Sequence, residues 1–324
     1  PLVSVMGISV SMNQGSATVT NNGPFEIYGL SVQTKVLSPS GQVIAYGSSP
    51  PVNLQPHSSQ IIMVVITPNS SIHVSPLTLN YVTVMVKVNA NLMNVLPAIV
   101  SFSRNVSLGS AVSGLVVGQP SVVSAGNGFI ELKTAVSFVY NMQYVPLSGD
   151  LDVTVTNSTG TVGSASVPIS ATNGQTVNLV VPINLSVSPR ALLTEPQTFN
   201  ISSSIASQGA VYTVGSESYT WNPPLYNLTV SSMQLKPVNS TYSSITVPLS
   251  FTDMQNKGFN LGINANLYSG NQQISSTSKS IYAVPGSNTL SVNFLVPNSA
   301  PSPTLLVLKF NAFNTSYNQE VSLK

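Results

Sequence analysis

The sequence predicts an all-β protein built as three tandem, elongated β-sandwich domains. A strand motif repeated at domain spacing, a strand-favouring composition and frequent turn signals carry that expectation. The motif comes first. Ile61, Met63 and Val65 lead into Pro68–Asn69; Val177, Leu179 and Val181 lead into Pro182 and Asn184; Leu290, Val292, Phe294 and Val296 lead into Pro297–Asn298. The prolines stand 114 and 115 residues apart, the period of a small domain and not of a solenoid repeat. Each motif reads as a strand with one face inward and proline–asparagine punctuation at its end.

A second motif precedes each of these. Leu30, Val32, Thr34 and Val36 alternate with polar residues and turn at Pro39-Ser40-Gly41. Leu151, Val153 and Val155 do the same before Asn157-Ser158-Thr159-Gly160, and Leu261, Ile263, Ala265 and Leu267 before Ser269-Gly270-Asn271. Period-two alternation places one face in a core and the other in water, so each is a half-buried strand entering a hairpin. The boundaries fall near Gly109–Gly114 and at Asn222-Pro223-Pro224, giving domains at 1–110, 111–223 and 224–324. Domains of this size bury enough surface to fold without disulfides, and short linkers favour an elongated rod.

Val, Ile, Thr and Tyr are abundant, good helix formers such as Glu, Lys and Arg are scarce, and no stretch keeps a helical period. Asn22-Gly23, Asn127-Gly128 and Asn173-Gly174 read as hairpin turns. About seven strands per domain is the pattern of an immunoglobulin-like sandwich.

Charged residues make up 6% of the chain, against roughly 25% in an ordinary soluble domain. Ser, Thr, Asn and Gln must therefore supply the polar surface. The longest apolar run, Ile61–Ile66, is far short of the roughly 20 residues of a helical membrane span. Aromatic residues, 7% and scattered, form no girdles of the kind a membrane barrel needs. A net charge of +2 without a basic cluster argues against a nucleic-acid partner. A surface poor in carboxylates suits an acidic medium, where those groups would be protonated, or one solvated by glycans. The fold is accordingly expected to be nearly indifferent to pH from about 2 to 7. The absence of cysteine departs from disulfide-pinned immunoglobulin arrays and is ordinary for microbial surface proteins. The many asparagines depart from a hyperthermophile composition, an objection that weakens at low pH, where deamidation slows. The first residue is Pro1, which reads as the product of a cleaved secretory signal.

Eight Asn-x-Ser/Thr sequons stand at Asn69, Asn105, Asn157, Asn184, Asn200, Asn227, Asn239 and Asn314. With 31 asparagines and 77 Ser or Thr, chance gives roughly seven, so position matters more than number. Asn157 sits at a hairpin tip, Asn69 after Pro68, and Asn239 in a turn, all places an acceptor is reachable. Asp150 and Asp152, at i and i+2, share the polar face opposite Leu151 and Val153; an exposed strand face describes them better than a glycosidase pair or a cation site. His57 and His73 lie in polar loops without zinc spacing. No Gly-x-Ser-x-Gly elbow or phosphate-binding loop occurs, so neither catalytic nor cofactor nor metal residues are assigned. Trp221, flanked by Tyr219 and Tyr226 at the second boundary, reads as an inter-domain wedge that packs the junction.

Two resemblances follow from these residues. The first copy runs Thr20-Asn21-Asn22-Gly23-Pro24-Phe25-Glu26-Ile27, then Leu30–Leu37, Gly41-Gln42-Val43-Ile44-Ala45 and Ser59–Ile66. It resembles the late-embryogenesis-abundant type 2 / water-stress sandwich family, whose Asn-Pro signature is approximated by Asn22-Gly23-Pro24. That resemblance implies a sandwich fold and no function. The chain as a whole, rich in Ser, Thr, Asn and Val with few charges and many sequons, resembles the surface glycoproteins of thermoacidophilic archaea. Three sandwiches in a row resemble the small stalk subunit of the Sulfolobus-type S-layer. That subunit also has a coiled coil and membrane helix, whereas this sequence ends in a β-hairpin pattern. The thread-like filament subunits are the nearest competitor.

The expected function is that of a non-catalytic structural subunit of an extracellular archaeal surface assembly, glycosylated and joined to itself or to another surface-layer protein. A carbohydrate-binding adhesin or viral surface spike is the alternative. The stretch Leu2–Met12, with apolar registers Val3/Val5 and Ile8/Val10/Met12 broken at Gly7, is either the first strand of its own domain or a strand given to a neighbour.

Overall fold

The computed structural model describes the backbone of residues 3–5, 8–13, 15–143 and 145–323, with side chains from residue 15 onward. Strands account for 69% of the chain and helix for 3%. The all-β expectation holds, in three sandwiches made of six antiparallel sheets.

The first sandwich comprises β1 (Val3–Val5), β2 (Ile8–Asn13), β3 (Ser16–Asn21), β4 (Ile27–Leu37), β5 (Val43–Ser48), β6 (Val52–Leu54), β7 (Ser58–Met63), β8 (Val65–Pro68), β9 (Tyr81–Leu92) and β10 (Leu96–Ser107). One sheet has the order β1-β2-β3-β7 and the other β10-β9-β4-β5-β8, with β6 beside β4. The second sandwich comprises β11 (Val112–Val117), β12 (Ser121–Gly126), β13 (Phe129–Tyr140), β14 (Leu147–Asn157), β15 (Gly160–Ala171), β16 (Thr176–Ser186), a single-turn helix α1 (Pro189–Thr194), β17 (Gln197–Ser207) and β18 (Ala210–Trp221). The third repeats it with β19 (Tyr226–Val230), β20 (Gln234–Pro237), β21 (Tyr242–Asp253), β22 (Phe259–Ser269), β23 (Gln272–Ala283), β24 (Gly286–Pro297), β25 (Leu305–Ala312) and β26 (Thr315–Ser322). In both, a broken first strand lies along one edge of the second strand, and a four-stranded sheet (β15-β14-β17-β18 or β23-β22-β25-β26) closes the other side.

The upstream motif occupies equivalent places in all three copies: β4, β14 and β22. Leu30, Val32 and Val36, Leu151, Val153 and Val155, and Leu261, Ile263, Ala265 and Leu267 all face inward. The downstream motif also falls on equivalent strands, but its phase in the first copy is reversed. Ile61, Met63 and Val65 are 66%, 67% and 76% exposed, while Ile62 and Val64 are buried. Register explains this: Ile62 pairs with buried Ala17, whereas Ile61 and Met63 pair with Thr18 and Ser16 on the outer face. A one-residue slip exchanges the faces of a whole strand. In the other copies the phase is as expected, with Val181, Val292, Phe294 and Val296 inward. Nor does Pro182 end its strand, since β16 continues to Ser186. β16 pairs only with β13, so the missing N–H of proline falls on an open edge.

Of the three Asn-Gly turns, Asn127-Gly128 joins paired strands, β12 and β13. Both residues have positive φ, 51° and 79°, as a tight hairpin requires. Asn22-Gly23 and Asn173-Gly174 instead sit between strands of different sheets. At the first of these, Asn21 is buried and donates through Nδ2 to Phe25 O and Gln55 O, while its Oδ1 accepts from Gly23 N. The expectation of seven strands per domain becomes ten, eight and eight, because edge strands are broken by bulges. The single-turn helix and the 3-10 turn Pro76–Thr78 were legible only through their caps, Ser188-Pro189 and Ser75-Pro76.

The first and second sandwiches share a buried cluster, and the second and third are joined through α1 and backbone hydrogen bonds. Val36, Ile44, Ala45, Leu79 and Val82 of the first sandwich belong to the same buried cluster as the core of the second. Ile72, Val74 and Leu77, on the segment between β8 and β9, pack against that cluster. At the other junction α1 sends Leu192 into the second core and Leu193 into the third. Trp221 is 4% exposed, and its Nε1–H donates to Leu192 O at 2.9 Å. Leu225 N donates to Leu193 O at 2.8 Å, and Met254 N to Pro223 O at 3.2 Å. The junction is packed as expected, but Trp221 is no wedge between domains: it belongs to the second core alone, and Leu193 of α1 reaches the third.

Asp253 stands beside this junction, at the end of β21. It is buried, its Oδ1 accepts from Gln255 N at 2.9 Å, and its Oδ2 has no partner. Burial raises its pKa above the usual carboxylate value, partly offset by the Gln255 hydrogen bond. A carboxyl group raised on folding contributes stability below its unfolded pKa, and loses it as pH rises through the folded one. In place of the indifference to pH expected from composition, the buried Asp253 predicts a melting temperature that rises on acidification from neutrality. Asp253→Asn should raise the neutral value and flatten the profile, as followed by circular dichroism across pH 2–7. A cooperative loss of structure near pH 4 would contradict this.

Candidate functional site: an open groove in the first sandwich

The first sandwich departs from its two relatives in the same chain at one place. β13 and β21 have 12 residues each, whereas β3 has six. In the second sandwich the first half of β13 supplies buried Ile130 and Leu132 over the facing sheet, and in the third β21 supplies Ile245 and Val247. No equivalent half-strand exists among the described residues of the first copy. Its β7 ends at Met63, and the chain crosses through Val64 to join the opposite sheet as β8 beside β5. Val64 N donates to Gly15 O at 2.8 Å, fixing the crossing next to the turn that precedes β3.

A cavity there takes the place of a covering strand on the inner face of the larger sheet; Val36, Val82 and Val86 are buried, Val84 and Phe102 half-buried, and Val106 exposed. The resulting cavity measures 740 Å³ and is floored by Val36, Val82, Val84, Val86, Phe102 and Val106. Its two sides carry the edge strands β8 and β10. Asn141, Gln143 and Asn173 of the second sandwich reach one end, and the exposed Arg104 lies on the β10 side. Thr34 lines the cavity, is 1% exposed, and its Oγ1 has no hydrogen-bond partner. An orphaned buried hydroxyl is rare in native structures and calls for a reason. The site offers an apolar floor, an unpaired hydroxyl and unpaired backbone edges.

The residues singled out from the sequence are spread over the molecule. Asn105, Asn184, Asn200, Asn227, Asn239 and Asn314 are exposed; Asn69 and Asn157 are half-buried. Asn69 Nδ2 donates to Val43 O at 2.9 Å. Asn157 Oδ1 accepts from both N and Oγ1 of Thr159, at 2.9 and 2.7 Å. Asp150 and Asp152 lie on β14 with Ser166 and Ser204 in register beside Asp152, on the face away from the core. His57 and His73 are exposed and lie in separate loops. Among the described residues no three His, Asp or Glu side chains gather as metal ligands. Sequence reasoning missed the groove. Its one legible signal was the brevity of β3, with only Ala17 and Val19 between Gly15 and the Asn21-Asn22-Gly23 turn.

No family model and no curated protein matches the chain. Among solved structures it aligns with a glycosyl hydrolase family 2 member from Bacteroides cellulosilyticus at 8% identity and a TM-score of 0.26. The alignment covers 68% of this chain and 29% of that one. So distant a likeness carries no argument about activity.

Proposed function

We propose that this chain is a structural subunit of an extracellular surface assembly, of the archaeal S-layer-associated stalk or filament kind, and that its work is to hold distance. The observation that supports this reading is that both junctions are packed, the first by a buried cluster common to two sandwiches and the second by α1, whose Leu192 and Leu193 enter the cores on either side. Such junctions favour one stiff body. A flexible string would have polar, independent interfaces instead. The near-absence of charge suits an acidic exterior, where the buried Asp253 carboxyl adds stability as it protonates. No helix among the described residues is long and apolar enough to cross a membrane. In this reading the chain is joined to other copies of itself or to another surface-layer protein. Immunogold labelling of the source cells tests the reading. Label along the envelope is expected; label confined to the cytoplasm would overturn it.

N-linked glycans complete the polar surface in this reading. Peptide mapping of natively purified protein should find Asn157 and at least three of the six exposed sequon asparagines modified. Asn69 should be bare, because a glycan on Nδ2 would disturb its bond to Val43 O. A native mass equal to that of the bare polypeptide would refute glycosylation.

A further inference from the structure

We propose that the first sandwich, through the end it turns away from the second, docks on the far end of the third sandwich of another copy of this chain. The inference rests on the assembly reading and names its contact. Both junctions inside the chain are built in the same way: the sandwich that follows presents one hairpin tip and one inter-sheet loop to the sandwich before it. The second sandwich offers the β17–β18 tip, where Ser207 and Gln208 face Asn69, Ser70 and Ile72 of the first across a 120 Å³ cavity. Its β13–β14 loop adds Met142 and Val145 to the cluster common to the two. The third offers the β25–β26 tip, with Phe313 O against Gly126. Its β21–β22 loop follows the same plan, with Met254 N donating to Pro223 O in the linker.

The first sandwich carries the same two parts, and there they stand open to solvent. Its β9–β10 tip makes the same left-handed turn as the other two. The φ values are 51° and 56° at Met93 and Asn94, 49° and 79° at Gln208 and Gly209, and 51° and 54° at Phe313 and Asn314. The first tip is one residue longer, and its side chains are apolar: Met93, Val95 and Leu96 are 48%, 77% and 56% exposed. Phe25, in the β3–β4 loop, is exposed as well, and pairing of Ile27 with Leu92 brings that loop beside the tip. Such a patch, on a surface otherwise dressed in Ser, Thr and Asn, marks a contact. The surface that matches it is the end of the third sandwich that, in the first two, receives the next one. There the β20–β21 turn is the counterpart of the β12–β13 turn that carries Gly126, and it exposes Val238 and Tyr242. Glu26 follows Phe25 at one end and Lys236 precedes the turn at the other, charges of opposite sign. Because the two surfaces differ, the contact does not close on itself, and its repetition gives an open series of copies.

The test uses full-length chains in which one surface at a time is spoiled. Val95 and Val238 are exposed enough for lysine to be accommodated, and circular dichroism confirms that each variant is folded. In sedimentation velocity the wild type should associate progressively as concentration rises, whereas Val95→Lys and Val238→Lys should each remain monomeric. Mixed in equal amounts, the two variants should give a dimer and nothing larger, because the first keeps an intact third-sandwich end and the second an intact tip. Asn239 stands in the docked turn, where its Oδ1 accepts from Thr241 N and Tyr242 N, and should carry no glycan in assembled protein; a glycan there contradicts the contact. Val238→Lys chains that still dimerise alone would mean that tips meet tips, which overturns the assignment. Wild-type association that neither substitution weakens places the contact elsewhere, and the assembly reading survives. Wild-type chains that stay monomeric at every concentration between pH 2 and 7 overturn the proposal and count against the assembly reading. If such monomers float with uncharged phosphatidylcholine vesicles and Val95→Lys does not, the tip serves a lipid surface instead.

Discussion

Trp221→Ala is expected to lower the stability of the chain by about 3–5 kcal/mol, a large share of the roughly 5–15 kcal/mol that holds a domain folded. The indole is almost wholly buried in the second core and donates to Leu192 O. Removing it leaves a cavity, an unpaired carbonyl and an unsupported α1. Because the next residue, Leu193, is embedded in the third core, the damage should cross the junction. Urea unfolding followed by far-ultraviolet circular dichroism should show the lower midpoint. Native-state hydrogen exchange should show faster exchange in both α1 and β19, which α1 contacts. Loss confined to the second sandwich would mean that the junction is not shared.

The second large effect is expected at Gly126, the last residue of β12. Its φ of 149° is one that side chains rarely adopt, and an added Cβ would lie 2.1 Å from Phe313 O in the third sandwich. The obstacle is backbone, held in the β25–β26 turn beside the stacked rings of Phe259 and Phe313, so it cannot swing aside. Gly126→Ala should cost about 2–4 kcal/mol by parting the second and third sandwiches while leaving each folded. Limited proteolysis should then cut near Asn222–Pro224 in the variant and leave that site intact in the wild type. Unchanged protection would show that the contact contributes little.

How far the sequence reveals this molecule differs from element to element. The β4, β14 and β22 strands were legible because one face of each is buried and the other wet, which writes itself as alternation. The β7 strand misled for the same reason in reverse. Ile61 through Ile66 is apolar on both faces, so the sequence holds no phase information, and register with β3 decides which residues are inside. Asn173-Gly174 has the chemistry of a hairpin, but that chemistry serves any tight reversal, including one that passes between sheets. Trp221 could be placed at a junction from its neighbours, whereas its partner Leu192 could not, since α1 is a single turn with no period to detect. The groove was hidden because it is a missing half-strand. Absence is legible only against the copies that have it, once the three are laid out in space. Asp253, by contrast, continues the buried phase of Ile245, Val247, Leu249 and Phe251 along β21, so its burial was written in the alternation of its own strand.

Differential scanning calorimetry of the intact chain at pH 3–4 tests most directly whether the three sandwiches act as one body. Arrays of independent domains melt in separate steps. The core shared at the first junction and the α1 and backbone contacts at the second predict a single transition for the wild type, with van't Hoff and calorimetric enthalpies in agreement, and its division into two in Gly126→Ala. Two or three resolved transitions in the wild-type chain would contradict the account.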